Sequence, residues 1–196
     1  MIPIPPLDTC VSTSRLLIRP PCMPHDFDAF AAMLTHPLVC LHDDLDPSAP
    51  KGDLLDEFTT YCIEDPVQDT IGGVNPDYHM MVIQLKSDVS STMLGALYLV
   101  NYDEDVSSIE LGYQLHPDHW GKGYASEAVK GMILRLFDEG IHRIECRVDP
   151  LNKESFKLLG RLGFKVEGTL RHVCKVRGEL RDETVASLLS SDTIPS

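Results

Sequence analysis

Leu111-Gly-Tyr-Gln-Leu-His-Pro-Asp-His-Trp-Gly-Lys-Gly-Tyr-Ala-Ser-Glu127 joins two unlike patterns, and the join decides the fold. Ser108 to Leu115 is a β-like run that leads into it. From Ala125 the apolar residues Ala125, Ala128, Val129, Met132, Ile133, Leu136 and Phe137 form a continuous stripe at helical spacing, and Gly140 follows as a helix stop. Beyond the helix, Arg143 to Val148 sets Ile144, Cys146 and Val148 against Arg143, Glu145 and Arg147, the period of two that marks a strand. Strand, helical crossover and strand make one βαβ unit, which places the two strands parallel.

Upstream, Arg15 to Arg19 reads as a strand halted by Pro20-Pro21, and Phe27, Phe30, Ala31 and Leu34 fall at helical spacing after Asp26 until Pro37. A second short helix fits Leu54 to Cys62, with loops over Leu41 to Gly52 and Asp65 to Asp77. Tyr78 to Leu85 and Met93 to Val100 are strands whose short connection, Ser87 to Ser91, suits only an antiparallel pair. Downstream, Asn152 can cap a helix carrying Phe156, Leu159 and Leu162 and stopped by Gly163. Lys165 to Val176 and Leu180 to Leu189 then form a hairpin around Arg177-Gly178-Glu179. The sum is a mixed sheet with flanking helices, α+β in class.

A chain of 196 residues fits one domain, expected over 13–189, with flexible ends at 1–12 and 190–196. No apolar run is long enough to span a bilayer, and the Pro-rich start lacks the basic and apolar regions of a signal peptide, so a cytoplasmic location is expected. The six cysteines show no C-x-x-C pair and read as reduced thiols. His116 and His119 are three apart, but a proline follows the first and no second ligand pair lies near, so no metal site is expected. A net charge of −13 argues against nucleic acid and favours a cationic partner.

Gly121 and Gly123, between strand end and helix start, let backbone N–H groups approach a phosphate where the helix dipole is positive. A P-loop requires Ser or Thr directly after Gly-Lys, and here Gly123 follows Lys122. The dinucleotide fingerprint is closer, because Gly121-x-Gly123-x-x-Ser126 opens a helix and Glu145 lies about the expected 20 residues on. Against it, His116 to Trp120 separates the strand from the first glycine, and Glu145 sits inside its strand rather than at the end.

The same stretch resembles the acyl-CoA signature of the GNAT N-acyltransferase superfamily, Gln/Arg-x-x-Gly-x-Gly/Ala, with Gly123 and Ala125 matching and Trp120 in the first place. Thr13-Ser-Arg-Leu-Leu-Ile-Arg-Pro20, Glu110-Leu-Gly-Tyr113, Asn152-x-x-Ser155, Leu162-Gly-Phe164 and Arg181-Asp182 extend the resemblance, from Thr13 to about Leu189, to the ribosomal-protein-alanine N-acetyltransferase branch. Val39 to Asp77 carries no matching motif. The resemblance implies a mostly antiparallel mixed sheet with acetyl-CoA held between two splayed parallel strands, and direct transfer of acetyl to an amine without a covalent enzyme intermediate.

By the same resemblance, Leu115, Gly121, Lys122, Gly123, Tyr124, Ala125 and Ser126 line the cofactor site, and Asn152 and Ser155 contact the pantetheine arm and the departing sulfur. Plain helix capping is the alternative role for Asn152. Many superfamily members place a general-acid tyrosine seven residues after that asparagine. Here Leu159 stands there, which leaves Ser155 or water to protonate sulfur. The glutamate that the branch sometimes carries after the Gly-Phe turn is absent from Arg171-His-Val-Cys-Lys175. Glu110 is the first candidate base and His116 the second. Lys122 is a candidate phosphate partner, whereas Lys130, Arg143 and Arg147 read as solvated surface. The expected acceptor is a protein or peptide N-terminus, or else a small amine such as a polyamine, amino sugar or toxic metabolite. A non-catalytic acyl-CoA-binding module is the rival from another class.

Overall fold

The computed structural model describes residues 10–62, 79–88 and 92–195. Along the chain these form β1 (Val11–Ser12), β2 (Leu16–Arg19), α1 (Phe27–Leu34), α2 (Lys51–Tyr61), β3 (His79–Leu85), β4 (Met93–Asp103), β5 (Ser108–Leu115), α3 (Tyr124–Asp138), β6 (Arg143–Val148), α4 (Lys153–Leu162), β7 (Lys165–Val176) and β8 (Glu179–Leu189). The strands make one sheet in the order β1-β2-β3-β4-β5-β6-β8-β7. Only β5 and β6 run parallel, and every other pairing is antiparallel.

The apolar stripe of α3 explains why this helix sits at the centre of one face. Ala128, Val129, Met132, Ile133 and Leu136 have no exposed surface and pack with α4 against Ile109, Leu111, Ile144 and Leu188. On the opposite face α1 and α2 cover Met80, Val82 and Ala96, with the Phe30 and Phe58 rings packed at a tilt, 4.8 Å between centres. Gly131 permits close approach inside α3, since a β-carbon there would stand 2.7 Å from Thr13 Cγ2.

Several boundaries differ from the sequence reading. Val11–Ser12, expected in a flexible end, pairs with Leu17 and Ile18, a bridge too short to show any periodicity. Residues 190–195, expected within a flexible tail, fold back: the Lys130 ammonium reaches the Pro195 carbonyl at 3.0 Å, and Ile194 packs on the core. Helix α2 begins at Lys51, inside the stretch expected as loop, directly after Pro50, whose fixed φ suits a helix start. Strand β4 runs on to Asp103 through a register shift after Val100. The expected loop over Asp65 to Asp77 and the strand residue Tyr78 lie outside the described residues.

The feature that positions the site is where β5 and β6 part. Their register is Ser108↔Arg143, Ile109↔Ile144 and Glu110↔Glu145, and it ends there. Beyond that point β6 stays with β8 while β5 stays with β4, so a wedge opens between Leu111–Leu115 and Cys146–Val148.

Candidate active site

The glycine loop reaches α3 through a 3-10 turn at Pro117–His119, after which Gly121 (φ 72°) and Gly123 (φ 78°) take left-handed backbone. Gly123 is the N-cap of α3 and offers no side-chain acceptor. The first-turn N–H groups, which have no intrahelical partner, are therefore left for a ligand. The Trp120 indole donates to the Leu115 carbonyl at 2.8 Å, which folds the loop against the end of β5.

A clasp from the β1–β2 turn sets this loop. Glu127, in the first turn of α3, accepts from the Thr13 hydroxyl (2.6 Å), the Arg15 amide (2.7 Å) and the Arg15 guanidinium (2.6 Å). Arg15 also donates to the Lys122 carbonyl at 3.0 Å and lies 4.7 Å from the Tyr124 ring centre. Burial pushes the Glu127 carboxyl up, but these hydrogen bonds outweigh it and hold the group at about 2. A carboxylate held so low binds fewer protons folded than unfolded, so its contribution is complete above about pH 5 and is lost as pH falls toward 2. Glu127→Gln is expected to cost about 1–2 kcal/mol near neutral pH, roughly 4 °C in melting temperature. Melts between pH 3 and 7 check this: a gap between parent and variant that fails to narrow toward acid would contradict it.

Two cavities meet at the wedge. One, of about 660 Å³, runs from Leu38, Leu41 and Trp120 past Leu115, Gly121, Gly123, Tyr124, Ala125 and Ser126 to the start of α4. The other, of about 360 Å³, opens on the α1–α2 side and is lined by Glu57, Tyr98, Glu110, Arg147 and Glu183. His42, Asp43, Tyr113, Gln114, Asn152 and Ser155 belong to both walls, so the cavities join beside the N-terminus of α4.

The residues singled out from sequence divide in their placement. Leu115, Gly121, Gly123, Tyr124, Ala125 and Ser126 line the larger cavity, and Asn152 and Ser155 stand at the junction. Asn152 also caps α4, its side-chain oxygen accepting from the Ser155 amide at 3.1 Å. Lys122 turns its ammonium onto the Asp118 carbonyl (2.8 Å) rather than into the groove. Glu110 lines the smaller cavity and accepts from Asn101 Nδ2 at 2.8 Å, with Arg147 Nε at 3.3 Å. Burial raises its carboxyl, opposed by those two partners. His116 lines neither cavity; it caps the 3-10 turn and packs edge-on against His36. Among the described residues, no group of three His, Cys, Asp or Glu side chains is placed to hold a metal ion.

Sequence reasoning missed four groups at the junction and misread one beside it. Asp149 closes β6 and accepts from His42 Nδ1 at 2.9 Å. Asp43 accepts from Gln114 at 2.9 Å, and Gln114 accepts from the Tyr98 hydroxyl at 3.0 Å. The Tyr113 hydroxyl is buried without a well-formed hydrogen bond and lies toward Ser155; burial pushes its pKa up. Arg147, expected on solvated surface, lines the smaller cavity and pairs with Glu110 and Glu145. The loop bearing His42 is tied across the wedge by Arg177, in the β7–β8 turn, which donates to the Cys40 carbonyl and through its amide to Asp44, each at 3.0 Å.

A mostly antiparallel sheet split between two parallel strands, with a glycine loop and a helix N-terminus beside the split, defines the acyl-CoA-dependent N-acyltransferase class of fold. Residues 15–165 match the family model described as an acetyltransferase (GNAT) domain, and the chain belongs to that family. It is 44% identical over 91 residues to the uncharacterized N-acetyltransferase p20 of Bacillus licheniformis, covering 46% of this chain and 51% of that protein. It is 36% identical over 86 residues to the [ribosomal protein uS5]-alanine N-acetyltransferase of Escherichia coli (strain K12), covering 43% and 44% respectively. The chain thus spans about half the length of the curated relatives it matches. Mycobacterium smegmatis RimJ in complex with CoA-disulfide has the same fold, with a TM-score of 0.79 at 21% identity over 96% of this chain and 90% of that one.

Proposed function

We propose that this chain transfers an acetyl group from acetyl-CoA to a primary amine. The observation that carries the reading is the pair of cavities joined where β5 and β6 part, one bounded by a helix N-terminus and the other by carboxylates. The diphosphate sits on the amides from Gly121 to Ser126, and the pantetheine arm follows the wedge to Asn152. The amine enters by the smaller cavity and attacks the thioester carbonyl at the junction. Proximity and alignment of the two substrates supply much of the rate. Ser155, in the first turn of α4, delivers a proton to the departing sulfur. Glu110, with the other carboxylates of the smaller cavity, draws the ammonium in toward the junction, where it gives up a proton before attack.

Among the described residues, Asp43, Glu57, Glu110, Asp149 and Glu183 line the smaller cavity with Arg147 as the one guanidinium, which favours an acceptor that arrives as a cation. A protein or peptide N-terminus is the first candidate, supported by the relative that acts on a ribosomal-protein alanine. A small amine is the second, since a cavity of about 360 Å³ also suits a compact molecule.

An amine panel that includes alanine-terminated peptides, polyamines and amino sugars, followed by release of free thiol from acetyl-CoA, tests the reading. Turnover with at least one amine is the expected result. Stabilisation of the protein by coenzyme A with no thiol release on any amine would leave a non-catalytic binding module instead.

A further inference from the structure

We infer that His42, held by Asp149, is the group that takes the proton from the acceptor amine. This rests on the acetyl-transfer reading above and names a residue that the sequence left without a role. The acceptor nitrogen must meet the thioester carbon where the two cavities join. Only six side chains of the described residues wall both cavities, and His42 alone among them is an imidazole. Its Nδ1 lies 2.9 Å from Asp149 Oδ2, and that carboxylate is 9% exposed. Asp149 Oδ1 meanwhile accepts from the Leu151 amide at 2.8 Å, so the carboxylate is fixed at the end of β6. A carboxylate on Nδ1 selects the tautomer in which Nδ1 carries the hydrogen and Nε2 keeps its lone pair, the arrangement a general base requires.

The rival acceptors are placed less well. Glu110 lines only the smaller cavity, at the last paired position of β5 and β6, and one of its oxygens is engaged by both Asn101 and Arg147. Asp43 is engaged by Gln114. His42 is 25% exposed, so the proton has a path to solvent.

The chemistry balances with two protons leaving the nitrogen. The first passes from the ammonium to His42 Nε2 and on to solvent, which frees the lone pair. The N–C bond then forms and the C–S bond breaks. The second proton, shed as the nitrogen becomes an amide, is matched by the one the sulfur gains from Ser155 and solvent. The charged groups around His42 are Asp43 on its own loop, Glu57 from α2, Glu110 from β5, Arg147 from β6, Asp149 directly after it, Glu183 from β8 and Arg177 from the hairpin turn.

The test is kcat/KM against pH on the full chain, with the best amine of the panel, for the parent protein, His42→Ala, Asp149→Asn and Glu110→Gln. His42→Ala is expected to lower kcat on the order of 100-fold and to remove the acidic limb of the profile. Acetyl-CoA affinity should stay within about twofold, and added imidazole should restore part of the rate. Asp149→Asn is expected to lower kcat at least about tenfold with acetyl-CoA affinity unchanged, because the imidazole loses the carboxylate that fixes its tautomer and orientation. If His42→Ala fails to bind acetyl-CoA, the loss of kcat in Asp149→Asn decides. An acidic limb that survives in His42→Ala and vanishes in Glu110→Gln overturns the inference in favour of Glu110, as does an Asp149→Asn protein with the parent's kcat. A parent protein that releases no thiol on any amine defeats the acetyl-transfer reading itself and this inference with it.

Discussion

Ala125→Glu is expected to abolish acetyl-CoA binding while leaving the unliganded protein as stable as its parent. Ala125 is the second residue of α3 and lines the larger cavity. A glutamate there sets a negative charge beside the amides proposed to hold the diphosphate. Two like charges about 4 Å apart repel by about 4 kcal/mol at an effective dielectric of 20, so affinity should fall on the order of a thousandfold. The fold should not suffer, because an acidic side chain in the first turn of a helix is favoured by the helix dipole. The two effects separate in one experiment. Coenzyme A at a hundred times its dissociation constant should stabilise the parent by about 2.7 kcal/mol, a rise of roughly 5–10 °C, and should leave the variant unmoved. Ala125→Gln, which adds the bulk without the charge, should keep more of the affinity, and high salt should recover part of the loss in the glutamate variant only. A variant that still melts higher with coenzyme A would remove the loop from the cofactor site.

The glycine loop was open to this kind of reading because its signal is local. Gly121 and Gly123 need positive φ, and the stripe from Ala125 fixes where the helix begins, so the loop between them is defined by neighbours in sequence. The wedge could be read only as far as the βαβ unit that builds it; that β5 and β6 part after Glu110 follows from β8 and β4 claiming the two strands separately. The acceptor side was opaque for a different reason. His42 sits on a loop whose composition predicts only turns, and its partner Asp149 is 107 residues away in sequence. Arg147 shows the same limit from the other direction: alternation puts it on the polar face of a strand, but cannot say whether that face meets solvent or a cavity. Tyr113 belongs to the Glu110–Tyr113 match but carries no role that sequence can assign, since the burial of its hydroxyl beside α4 depends on how far the strands part.

The clasp at Glu127 joins the local and the distant. Thr13, Ser14 and Arg15 belong to a turn more than 100 residues upstream of the carboxylate they hold. Thr13 to Pro20 is part of the family resemblance, while its apolar pattern explains only a strand. What the structure adds is a reason for the polar residues there: Thr13 and Ser14 hold the acidic side chain in the first turn of α3 by hydrogen bonds, and the Arg15 guanidinium offsets its charge, which would otherwise oppose an anionic ligand at the same helix end.

Gly95→Ala is expected to be among the most damaging small substitutions in the protein, and to injure the site through the sheet. Gly95 in β4 pairs with Leu115 in β5. A β-carbon at this position would stand 2.2 Å from the Gln114 carbonyl oxygen and 2.8 Å from Leu115 Cα, both backbone atoms that cannot swing aside. Either β4 and β5 separate or the strand twists, and overpacking of this kind costs about 2–3 kcal/mol, a fall of roughly 5–10 °C in melting temperature. The residues displaced are Gln114 and Leu115, which wall the larger cavity, and Leu115 also accepts the Trp120 hydrogen bond that seats the glycine loop. Acetyl-CoA affinity should therefore drop even at temperatures where the variant remains folded. Gly52→Ala is the matched control. Its β-carbon would meet nothing within 4 Å, and it lies in the first turn of α2, where alanine's helix preference should stabilise by a few tenths to about 1 kcal/mol. Melting curves and coenzyme A titrations of the two variants side by side check both signs, and a Gly95→Ala protein that melts with its parent would mean that β4 and β5 are not packed as closely as the pairing requires.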